Sequence, residues 1–76
     1  MLSRTEAVAG VEVTVNGQPR EVSAETTVAA LLDDLGLDPR HCAVEINLQL
    51  VPRGQHAATR LATGDRLEIV TLVGGG

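Results

Sequence analysis

Val28, Leu31, Leu32 and Leu35 fall at i, i+3, i+4 and i+7, so a helix through them carries all four apolar side chains on one face. This is the single core helix that the chain predicts. The segments on either side alternate apolar and polar residues at period 2, which is the pattern of half-buried strands. A lone amphipathic helix among strands buries its stripe by lying across a sheet. Residues 23–27 offer several N-cap side chains ahead of Val28. Asp33 and Asp34 fall on the opposite, wet face. Gly36 suits the left-handed C′ position, Leu37 folds back on the last turn, and Asp38-Pro39 prevents continuation.

Val11-Glu12-Val13-Thr14-Val15 alternates and runs into Asn16-Gly17, two residues that tolerate the positive φ of a type I′ hairpin turn. Pro19 cannot donate to a ladder, so Arg20-Glu21-Val22 is expected to be a short edge strand with Pro19 at its start. Cys42-Ala43-Val44-Glu45-Ile46 alternates again, with Cys42, Val44 and Ile46 inward, and Asn47 closes it. Residues 48–51 form a shorter apolar piece stopped by Pro52. Residues 53–63 read as a polar connection anchored by Leu61.

Thr63-Gly64-Asp65 launches the last strand, where Leu67 and Ile69 face inward with Thr71 and Val73 continuing that side. Glu68, Val70 and Leu72 then face out. The economical arrangement sets the first and last strands side by side and parallel, with the helix in the crossover. The predicted class is α+β: a β-grasp, a mixed sheet with one main helix packed across it. Residues 1–10 read as a loose N-terminal extension, residues 11–73 as the folded domain and residues 74–76 as a flexible glycine tail.

At 76 residues there is no room for an enzyme cleft of ordinary depth. Without Phe, Tyr or Trp the core is built from Leu, Val, Ile and Ala, and base stacking is excluded. A net charge of -4 repels phosphate, so no nucleic acid partner is expected; the same acidity suits docking on a basic protein. No stretch approaches the roughly 20 apolar residues of a membrane span, and residues 1–10 lack the apolar run of a signal peptide. A soluble, cytoplasmic protein without a membrane partner is the expectation.

The chain ends Val73-Gly74-Gly75-Gly76. Glycines have no Cβ to block approach, so such an end enters a narrow slot and offers the Gly76 carboxyl to another protein's active site. The chemistry then lies on the main chain, and the outward Val70 and Leu72 beside it suggest a docking patch. Other candidates are weaker. His41 and Cys42 are strand neighbours that point to opposite faces and form no dyad, so Cys42 reads as a small hydrophobe. His41, Cys42 and His56 lack zinc-ligand spacing, no metal is expected, and the glycine run lacks the helix and Lys-Ser/Thr of a phosphate loop.

Val15-Asn16-Gly17, Thr27-Val28 with Leu31-Leu32, Ala43-Val44-Glu45-Ile46-Asn47, Val51-Pro52-Arg53, and Gly64-Asp65-Arg66-Leu67-Glu68-Ile69-Val70 running to the glycines together resemble the ThiS family. These are the small, ubiquitin-like sulfur carriers of thiamine biosynthesis. The resemblance covers residues 11–76. It implies no bound cofactor and no catalytic residue, but a carrier whose Gly75 and Gly76 form the sulfur-carrying end, with Gly74 as the rest of the tail. It implies a ThiF-type enzyme that adenylates the Gly76 carboxylate with ATP. A persulfide donor then converts it to a thiocarboxylate, and a ThiG-type thiazole synthase takes the sulfur. The alternatives are a MoaD-type carrier for molybdopterin synthesis, a ubiquitin-like modifier conjugated through Gly76, and a plain interaction module.

Overall fold

The computed structural model describes residues 10–72. The expected extension up to Ala9, and Val73, Gly74, Gly75 and Gly76, lie outside the described residues.

The first hairpin joins β1 (Gly10–Val15) to β2 (Gln18–Ser23), with Val15 opposite Gln18 and only Asn16 and Gly17 between them. Their φ values of 51° and 82° are the left-handed pair of a type I′ turn. Gly10 already belongs to β1, one residue ahead of the alternating run. β2 is longer than expected, six residues with Pro19 inside it opposite Thr14. Thr14 gives its amide to the Asp65 carbonyl on the other side, so Thr14 and Pro19 form a pair without mutual hydrogen bonds. Proline's missing N–H therefore falls on the open edge, and the ladder loses nothing.

The helix, α1 (Val28–Asp34), starts where the Thr27 hydroxyl accepts the Ala30 amide at 3.1 Å. It ends on Gly36 at φ 74°, with the Leu37 amide on Leu32 O and the Gly36 amide on Asp33 O, the paired bonds of a Schellman motif. Val28, Leu31 and Leu32 are buried, and Leu35 packs half-buried beside them. A 3-10 turn, Pro39–His41, leads into β3 (Cys42–Ile46).

β3 returns through Asn47 and Leu48 to β4 (Gln49–Val51), again a two-residue loop with both φ values positive, 52° and 72°. The connection after Pro52 carries a 3-10 helix, Arg53–Ala58. His56 is buried there, where the sequence suggested only polar connection. Its Nε2 sits 3.1 Å from the Val51 carbonyl and so donates to it, while Nδ1 has no partner. Leu61 is buried as expected.

β5 (Arg66–Thr71) completes a five-stranded sheet in the order β2-β1-β5-β3-β4. β5 is parallel to β1 and antiparallel to β3. This mixed sheet with one main helix across it is a β-grasp. Val13, Val44, Leu67 and Ile69 from the sheet meet Val28, Leu31, Leu32 and Leu61 in a wholly aliphatic core, and Cys42 and Ile46 pack half-buried at its margin. Thr71 does not continue the buried row. It lies on the same side as Cys42, its partner, but the core ends at Ile69 and Thr71 is exposed.

Candidate docking face and carrier end

β5 lies between β1 and β3 and carries the chain out of the sheet toward the glycines. Three contacts fix its course. At its start, the Arg66 amide donates to the Asn47 side-chain oxygen at 3.0 Å and Asn47 N donates to Arg66 O at 2.8 Å. Midway, the Asn16 carboxamide acts as a surrogate strand residue: Ile69 N donates to Oδ1 at 2.7 Å and Nδ2 donates to Ile69 O at 3.1 Å. Beyond the strand, Leu72 N donates to the His41 carbonyl at 2.6 Å. The Pro39–His41 turn that presents this carbonyl is itself capped by Asp38. That carboxylate takes the Arg40 amide at 2.9 Å and the guanidinium at 2.8 Å, which holds the Asp38 carboxyl well below the usual carboxylate range.

The outward face of β5 has the composition that period 2 predicts. Val70 is 57% and Leu72 53% exposed, Ala43 stands opposite Val70, and Glu68 pairs with Glu45. Glu45 in turn stands opposite Leu50 of β4, which is 65% exposed. Apolar and acidic side chains thus share one face beside the outgoing chain, a surface suited to an apolar partner with basic residues at its rim. Leu50 and Leu48 were not singled out from sequence. Their signal was the Asn47 turn, which returns β4 against β3 and puts Leu50 on the Glu45 face.

His41 is exposed while Cys42 is half-buried against the core, so the two form no nucleophile and base pair. Among the described residues no group of three His, Cys, Asp or Glu side chains could hold a metal ion. No helix among them is long and apolar enough to cross a membrane.

The ThiS family model matches residues 13–76, most of the chain. The chain belongs to the ThiS family. That family comprises small sulfur carriers of thiamine biosynthesis rather than catalysts. Among solved structures, the crystal structure of a ThiS thiamine biosynthesis protein from Geobacter metallireducens is similar at a TM-score of 0.74 and 32% identity, covering 87% of this chain and 100% of that one. A thiazole synthase of Paramagnetospirillum magneticum is 47% identical over 66 residues, 87% of this chain and 20% of that protein. A second, from Magnetococcus marinus, is 39% identical over 66 residues, with the same coverage. The chain therefore spans about one fifth of the length of these thiazole synthases.

Proposed function

We propose that this ThiS-family chain carries sulfur on its Gly76 carboxyl for assembly of a thiazole. A ThiF-type partner activates that carboxylate with ATP, releasing pyrophosphate and leaving an acyl adenylate. A carboxylate is a poor electrophile until converted to such a mixed anhydride. The terminal sulfur of a persulfide attacks the acyl carbon and AMP leaves. A thiol then cleaves the acyl disulfide, and the thiocarboxylate remains. A ThiG-type thiazole synthase consumes it. Glycine at positions 74–76 leaves the carbonyl unhindered from both sides, and the folded body supplies the binding energy that positions it.

The observation that supports this reading is the anchored course of β5 past the exposed Val70 and Leu72 toward Gly74, Gly75 and Gly76. We assign Val70 and Leu72 to the surface that meets the activating enzyme. The matches to thiazole synthases favour a thiazole over molybdopterin as the destination of the sulfur.

The test begins with the intact mass of the mature chain, which must place Gly76 last. In a host supplied with sulfur, a shift matching one oxygen replaced by sulfur supports the carrier, and a ladder of larger conjugates supports a modifier instead. One added C-terminal Ala moves the reactive carbon by about 3.3–3.6 Å. Reacting atoms must sit about 3–3.5 Å apart and aligned, so ATP–pyrophosphate exchange with the partner should collapse while melting is unchanged. Native exchange by the extended chain would exclude the proposal.

A further inference from the structure

The parity of hydrogen bonding along β5 exposes a place for a partner that the side chains do not announce. Asp65, Leu67 and Ile69 direct their main-chain groups toward β1: Asp65 O accepts Thr14 N, Leu67 O accepts Asn16 N, and Ile69 is satisfied by the Asn16 carboxamide. Arg66 and Leu72 bond on the opposite side, to Asn47 and His41. Alternation then turns the N–H and C=O of Thr71 toward the β1 side. β1 has already ended at Val15, and the chain has turned away through Asn16 and Gly17 into β2. Thr71 thus has an open lane beside it, and among the described residues no hydrogen-bond partner occupies that lane. Unpaired strand groups of this kind are a template for another strand.

The β1–β2 turn at which β1 gives out has a shape as well. On the helix side of that turn, Val15, Asn16, Gln18, Pro19, Arg20, Leu35 and Leu37 line an open groove of about 540 Å³, in which Val15, Leu35 and Leu37 are half-buried side chains at the margin of the core. Gly17, at the corner of the turn, has nothing within 4 Å of where a Cβ would stand. A strand laid beside Thr71 alternates its side chains, one set toward the helix side, where Val15, Leu35 and Leu37 stand, and the other toward the Val70 face.

We propose that the enzyme which activates Gly76 grips the outgoing chain by strand addition: an extended segment of that enzyme pairs its main chain with Thr71 in the lane that β1 vacates. An apolar side chain of the segment sits over Val15, Leu35 and Leu37, and the Asn16 carboxamide is the end-stop that sets register. This rests on the carrier reading and adds how the partner holds the chain. Main-chain pairing suits the purpose because it fixes the position along the strand residue by residue, whereas an apolar patch alone tolerates sliding.

The experiment follows amide hydrogen exchange at Thr71 in the native chain, free and with the adenylating enzyme, together with ATP–pyrophosphate exchange. Strand addition slows Thr71 exchange by about tenfold or more in the complex, the effect of one main-chain bond excluded from water. Thr71→Pro deletes only the lane-facing N–H, since Thr71 and Cys42 exchange no ladder bonds. It should weaken the complex by about tenfold at an unchanged melting temperature. If that variant folds poorly, exchange in the native chain still decides. Adenylation proceeding while Thr71 exchanges as freely as in the isolated chain overturns strand addition and leaves the carrier reading intact. A protected Thr71 without adenylation supports strand addition and overturns the carrier reading. Protection that rises with the concentration of the free chain assigns the lane to a second copy and overturns the proposal.

Discussion

The two hairpin turns of this protein have nearly the same backbone and opposite chemistry. Asn16-Gly17 has φ values of 51° and 82°; Asn47-Leu48 has 52° and 72°. Each asparagine turns its carboxamide onto β5, from either side, and satisfies a strand amide there. The second positions differ: glycine enters the left-handed region freely, but leucine brings its Cβ toward the following carbonyl at a cost of about 1–2 kcal/mol. Leu48 accepts this cost while 88% exposed, so burial of its side chain does not offset it. A turn can therefore be dictated by its first residue and by the strands it joins, even where its second residue opposes it.

The comparison predicts a ranking. Asn16→Ala should have the largest effect, about 2–4 kcal/mol lost, because it strips both hydrogen bonds from the part-buried Ile69 peptide and leaves alanine at a positive φ. Denaturant melting measures it, and a loss under about 1 kcal/mol would mean that water replaces the carboxamide without penalty. Asn47→Ala removes an equivalent bond to Arg66 and one to Asp65, both exposed. It should cost about 1–1.5 kcal/mol by the same assay. If the two asparagines prove equal, burial is not what separates them.

Leu48→Gly is the smallest and has the opposite sign. Relief of left-handed strain exceeds the extra freedom that glycine gives the unfolded chain, so the variant should gain about 0.5–1 kcal/mol. A destabilised Leu48→Gly would show that the leucine makes contacts that its exposure conceals.

The turns also mark where the sequence was legible. Asn16-Gly17 between alternating strands, the Val28 to Leu35 stripe and the Gly36 stop are local signals, and the structure follows them. The parallel neighbours β1 and β5 follow from having one helix to serve as the crossover. The left-handed Leu48 was hidden because its residue type argues against its conformation. Pro19 lies within β2 because the two-residue turn makes Val15 and Gln18 the closing hydrogen-bonded pair and so leaves Thr14 and Pro19 as a pair without mutual hydrogen bonds, a register that was not carried through to the proline from the sequence. His56 is buried by the fold-back of residues 53–58 onto Val51, and its polarity pointed the other way.

At the candidate site, Val70 and Leu72 were readable as outward residues by alternation alone. Thr71 lies on the side that the same rule assigned it but is exposed, because periodicity assigns a side of the sheet and not how far the core extends along it. The open lane depends on β1 ending at Val15, opposite Leu67, four residues short of the end of β5 at Thr71. Strand lengths settle that only after pairing is known.

The aliphatic core has an optical consequence. A fold with no Trp, Tyr or Phe, in its interior or anywhere else, contributes almost nothing to absorbance or emission in the near ultraviolet. In any mixture with an aromatic-bearing enzyme this chain is dark, and every change in intrinsic fluorescence belongs to the enzyme. Titrating the carrier into its partner therefore reads the partner's side of the interface against a black background.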